Sequence, residues 1–165
     1  MCCWFPMLSI VSRPLVALPL VLVGSTGTQM SAAAPKAFAV AGGSQTTSDG
    51  TKTFAISAHA GPNGASGHVV MTQTSNCCGP FRLQGHVACV AVSGTHAVIG
   101  VEIEHGEGTA EGQAGIVLYV EDNGNGPSDP PDEFTNSNYV SDPSDCGGPI
   151  DPTTPISSGN INVKS

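Results

Sequence analysis

Basic residues are scarce in this chain. Its 165 residues include five Lys and Arg against thirteen Asp and Glu, and 11% are charged. Lys36, Lys52, Arg82 and Lys164 cannot assemble a patch that tracks phosphates, which argues against nucleic-acid binding. Attraction to an anionic membrane surface fails for the same reason. Aromatics are also rare, at 5%, and the single Trp, Trp4, lies at the extreme N-terminus. Carbohydrate modules lean on exposed aromatic platforms, so sugar binding is disfavoured, with Tyr119 and Tyr139 the two tyrosines available. No C-x-x-C spacing supports a zinc knot. No G-x-S-x-G elbow and no H-E-x-x-H helix supports a hydrolase. Met71 is the last methionine, so Cys89 and His96 lack the later axial ligand of a blue-copper site.

An export signal is present. Arg13 precedes the apolar run from Leu15 to Val23, and the small residues Ser31 to Ala34 follow it. Positive charge, apolar core and small-residue cleavage site are the layout of a secretory signal peptide. A membrane anchor needs about 20 apolar residues, whereas Pro14 and Pro19 interrupt this run. The expectation is a signal peptide over 1–34, with a boundary as late as 41, and a secreted product without membrane attachment after cleavage. Cys77, Cys78, Cys89 and Cys146 then remain, an even number that suggests disulfides in an oxidising compartment. Adjacent Cys77 and Cys78 are too close to bridge each other readily. Two pairings stay open: each of them joined to Cys89 or Cys146, or one Cys89–Cys146 bridge beside two thiols.

Beyond the signal, residues 35–50 are small and polar and read as a flexible leader. A single β domain is expected over 51–165. In it the apolar period is two: Phe54, Ile56 and Ala58 share a face, as do Val69 and Met71. Phe81, Leu83, Val87 and Cys89 alternate with Arg82, Gln84 and His86. After the Ser93-Gly94-Thr95 turn, Ala97, Ile99, Val101 and Ile103 alternate with polar neighbours. This is a hairpin with its odd-numbered residues, Cys89 included, facing a core. Ile116, Leu118 and Val120 form another inward set, and Ile161 and Val163 a last one. With 21 Gly and 13 Pro, the chain reads as all-β, an antiparallel sandwich or small barrel of about seven short strands. Residues 122–150 read as a long acidic loop before the last strand, with Phe134, Tyr139 and Val140 as anchors.

The hairpin Gly85-His-Val-Ala-Cys-Val-Ala-Val-Ser-Gly-Thr-His-Ala-Val-Ile-Gly100 is one of several recurring signatures. The others are Val120-Glu-Asp-Asn-Gly124 with Pro131-Asp132, and Gly159-Asn-Ile-Asn-Val163. Together they resemble a family of uncharacterised exported bacterial β domains with the pattern G-x-V-T-C-L-x-V-x-G-N-x-A-x-I-G-G, a D-N-G turn and a closing G-N-I-x-V strand. The chain departs from it at Ala88, Thr95 and Val101, where the pattern prefers Thr, Asn and Gly, and at Lys164-Ser165, where it tends toward His-Asp. The resemblance implies a secreted β fold and a bridge from Cys89 toward Cys146. It implies no reaction.

Three constellations are candidates for chemistry. Glu121, Asn123, Asn125, Asp129 and Asp132 alternate oxygen donors with glycines, as a Ca²⁺ loop does, although the EF-hand order of first Asp and twelfth Glu is reversed. A plain turn at Asn123-Gly124 followed by a solvated acidic loop explains the same residues. His59, His68, His86 and His96 fall on outward faces of separate strands, and would gather into a Zn²⁺ or Cu²⁺ patch if those strands are neighbours. Glu102 and Glu104 with His105 give a weak hydrolytic set. The expected function is a secreted, non-enzymatic structural or interaction module with an extracellular or cell-wall partner and no cofactor. A calcium-dependent binding module using 121–132 is the alternative, and a secreted hydrolase the third.

Overall fold

The computed structural model describes residues 37–75, 79–148 and 151–165. The expected signal peptide, Cys77 and Cys78 lie outside the described residues. Among the described residues nine strands form: β1 (Phe38–Thr47), β2 (Gly50–Gly61), β3 (Gly64–Ser75), β4 (Phe81–Ser93), β5 (His96–Gly108), β6 (Gly115–Glu121), β7 (Glu133–Val140), β8 (Thr154–Pro155) and β9 (Ser158–Lys164). All are antiparallel in one sheet of order β8-β7-β6-β5-β4-β3-β2-β1-β9. The all-β expectation holds. Nine strands replace the seven expected, and a single curled sheet replaces the two facing sheets of a sandwich.

The curl follows from the alternation. One face of every long strand is apolar, and a lone sheet can cover that face by rolling over it. Phe54 of β2 stacks on Phe134 of β7 with ring centroids 4.3 Å apart, although four strands stand between them in the sheet. Met71, Leu83, Ile99, Leu118 and Ile161 fill the same interior at 0% exposure. Truncating a ring such as Phe134 in a core of this kind costs about 3–5 kcal/mol.

Three expectations about the chain change. The segment 35–50, read as a leader, contains β1. Its inward residues are Ala39, Ala41 and Gln45, too small or too polar to signal a strand by hydropathy, yet they are buried. Gly43 completes the set: a Cβ there would collide with the Ser158 carbonyl of β9. The acidic stretch 122–150 contains β7, whose Thr-Asn-Ser-Asn sequence is polar because part of it borders water.

The third change concerns Cys89. Val87 pairs with Val101 but Cys89 pairs with Gly100, so Ala88 is an extra residue, a β-bulge. One inserted residue reverses the side-chain phase. Cys89 therefore leaves the core face and turns outward, half-buried, where it bonds Cys146. That bridge fastens the segment after β7 onto the outer surface of the sheet. Pro143 there lies over Gly100 and Gly115, either of whose Cβ atoms would collide with it, and Cys146 packs beside Val98, Val117 and Tyr119.

Candidate functional site

The structure disperses the expected calcium donors among other partners. The Asp132 carboxylate, 5% exposed, accepts the Asn123 N–H at 2.9 Å on one oxygen and the Ile161 N–H at 2.6 Å on the other. Asn123 donates its side-chain amide to the Pro131 carbonyl at 2.9 Å. Asp129 accepts the Gly126 N–H at 2.6 Å. Glu121 lies 3.2 Å from His96 Nε2, and the Thr153 hydroxyl beside it donates to Glu133 at 2.6 Å. Asn125 sits exposed at the loop tip. Asp122, absent from the expected set, accepts the Val163 N–H at 2.9 Å. The carboxylates of Asp122 and Asp132 thus serve the backbone of β9 on the edge away from β1, doing the work of a missing strand. Among the described residues, no three His, Cys, Asp or Glu side chains converge as metal ligands.

The histidines divide. His59, His68 and His86 stand on β2, β3 and β4, which are neighbours, and His68 is the cross-strand partner of His86. His86 lies between Glu102 at 3.1 Å and Glu104 at 3.4 Å. A second bulge, at Glu104, brings that carboxylate beside Glu102, since Gln84 pairs with His105 and Gly85 with Ile103. His96 is apart, with Glu121 at the far end of β5.

A polar cleft of about 410 Å³ lies at one mouth of the curled sheet. Its core is a row in register across three strands: Gln45 pairs with Lys52, and Lys52 with Gln73. All three occupy the inward phase, Lys52 two positions from Phe54, Gln73 two from Met71 and Gln45 two beyond Gly43. Gln45, 3% exposed, shares the two N–H donors of its amide among the Phe134 and Thr154 carbonyls at 2.9 and 3.0 Å and Thr154 Oγ1 at 2.6 Å. Those bonds tie β1 to β7 and β8 and form the base of the cleft. Lys52 crosses the opening to donate to Asn136 Oδ1 at 2.8 Å. Burial holds its amine below the usual lysine range, an effect that the charge of Asp49 partly opposes. Phe81 and Tyr139, edge to face at 6.5 Å, and Ile116 give the cleft an apolar wall.

Sequence reasoning missed this site. The available signal was the appearance of Lys52, Gln73 and Gln45 at inward positions, where alternation calls for apolar residues. A polar side chain in core phase at a strand end marks the place where an interior opens to solvent.

Chemically, the cleft offers one ammonium, the Asp49 carboxylate, several amides and hydroxyls and an apolar wall. Convergent polar groups beside an apolar wall at the mouth of a rolled sheet are how small-molecule sites are built. No family model matches the chain, and neither a curated protein nor a solved structure matches it.

Proposed function

We propose that the chain is an exported, non-enzymatic binding module that acts outside the cell, and that its site is the cleft around Lys52. The ligand is a small polar group on an extracellular or cell-wall partner, carrying an oxygen acceptor for the Lys52 amine and hydrogen-bonding groups for the amides of Gln73 and Asn136. The observation that carries the reading is the in-register row Gln45–Lys52–Gln73 turned into an apolar interior. Placing a half-buried amine there costs desolvation free energy, a cost that an incoming acceptor offsets.

Export is supported by the apolar run after Arg13 and by the Cys89–Cys146 bridge, a bond that persists in oxidising compartments. In this reading the rolled sheet works as a small barrel, its seam held by Gln45, Asp122 and Asp132, so that the mouth keeps its shape without ligand. The test is thermal unfolding of the wild type and Lys52→Met in excess N-acetylglucosamine, N-acetylalanine or acetate. A ligand of the cleft raises the wild-type Tm by mass action and leaves the variant unmoved. Equal responses in the two proteins would place binding elsewhere.

A further inference from the structure

We propose that the outer face of the sheet carries a separate metal site, in which His68, His86 and Glu102 bind a divalent transition-metal ion, Cu²⁺ most tightly. The carrying observation is a row in register across β2 to β5: Ser57 pairs with His68, His68 with His86, and His86 with Glu102. Directly opposed residues on antiparallel strands hold their Cβ atoms about 4.5–5.5 Å apart, a spacing across which an imidazole and its neighbour share one ion. Three of the five histidines in the chain cluster here, since His59 stands diagonal to His68. His59 is itself engaged, with Nε2 3.2 Å from Ser57 Oγ and its ring near Phe38.

A second observation points to a cation. Both ring nitrogens of His86 face carboxylates, Nε2 toward Glu102 at 3.1 Å and Nδ1 toward Glu104 at 3.4 Å. The bulge at Glu104 brings both carboxylates to one imidazole, so the face that carries the histidine row also gathers anionic oxygens, which attract a cation.

The ligands do not already converge on one point among the described residues. His86 is turned toward β5, and completing the site takes its rotation toward His68. With His86 49% and Glu102 59% exposed, that is an ordinary rotamer change, fast on the scale of binding. Two imidazole nitrogens and one carboxylate oxygen suit Cu²⁺, Ni²⁺ and Zn²⁺, and the general order of affinities puts Cu²⁺ first. The remaining positions on the ion face solvent and are open to water or to a donor from another molecule.

The test is electron paramagnetic resonance of the untagged protein with one equivalent of Cu²⁺, with affinities from competition titration. The wild type shows hyperfine coupling to two imidazole nitrogens. His68→Ala and His86→Ala each reduce this to one and weaken binding by about tenfold or more, while Glu102→Gln, which keeps side-chain shape, weakens it without changing the nitrogen count. His96→Ala, remote from the row, matches the wild type. Unchanged affinity in both His68→Ala and His86→Ala, or a spectrum without imidazole coupling, overturns the proposal.

Discussion

The carboxylate of Asp132 accepts the backbone N–H of Ile161 at 2.6 Å, joining the end of the acidic loop to the middle of the last strand. The two residues are 29 positions apart in the chain, and the bond stands where a tenth strand would otherwise be needed. A carboxylate can do this because it takes donors on both oxygens, and its second oxygen holds Asn123.

Removing that group strands two backbone donors. Asp132→Ala is expected to lose about 3 kcal/mol, the sum of a charged hydrogen bond and the desolvation of donors left without partners. Asp132→Asn, despite its shape, is expected to lose about 1–3 kcal/mol, because its amide presents an N–H to one of the two N–H groups. Urea denaturation measures both. Wild-type stability in either variant would contradict the role assigned to this side chain.

The same bonding predicts the response to calcium. With Asp122, Asp129 and Asp132 bonded to the backbone N–H groups of Val163, Gly126 and Ile161, the loop has few oxygens to offer an ion without breaking the seam. Millimolar Ca²⁺ is therefore expected to leave Tm unchanged. A rise of several degrees would restore the calcium-dependent alternative.

The disulfide has a different task. It closes a loop of 57 residues, for which the chain-entropy relation gives about 4 kcal/mol. Reduction is expected to lower Tm and to uncover the patch of Val98, Val117 and Tyr119, read as increased binding of a hydrophobic dye. Gly100→Ala attacks the same contact from the sheet side, since its Cβ would collide with the Pro143 carbonyl. A loss of about 1–3 kcal/mol is expected, with a larger fraction of free thiol by thiol titration.

Lys52 predicts a pH dependence of unusual sign. Burial lowers its folded-state pKa below the unfolded value of 10.5, so above the folded pKa the unfolded chain holds the extra proton. Stability then rises with pH through the window that ends near 10.5. At neutral pH the charged amine is the strained form, and Lys52→Met is expected to be more stable than the wild type. The difference shrinks as pH increases through that window. Denaturation of the two proteins across the alkaline range measures it, and a gap independent of pH would remove the burial argument.

How much of this was legible depended on which residues carried the signal. Large apolar residues in strict alternation announced β2 to β6 and β9 and assigned Phe54, Met71, Leu83, Ile99 and Leu118 inward, where all are buried. Hydropathy could not announce β1, because alanine and glycine hold its core positions where β9 presses close. It could not announce β7 either, where one deeply buried residue, Phe134, anchors a polar strand. The phase of Cys89 was unreadable for another reason: a bulge depends on how two strands pair, and nothing at Ala88 marks it. The cleft was legible in part, through Lys52 in core phase, but its Asn136 partner lies 84 residues away and no local pattern links them.

The central claim is that the mouth of the sheet around Lys52 is a binding site. Its most direct test is a two-dimensional ¹H–¹⁵N NMR titration of the wild type with N-acetylglucosamine, N-acetylalanine and acetate at millimolar concentration. The expected result is saturable shifts for at least one probe, concentrated on Lys52, Gln73, Asn136 and Tyr139 and abolished in Lys52→Met. Shifts that avoid the cleft, or the absence of saturable shifts with all three probes, would contradict it.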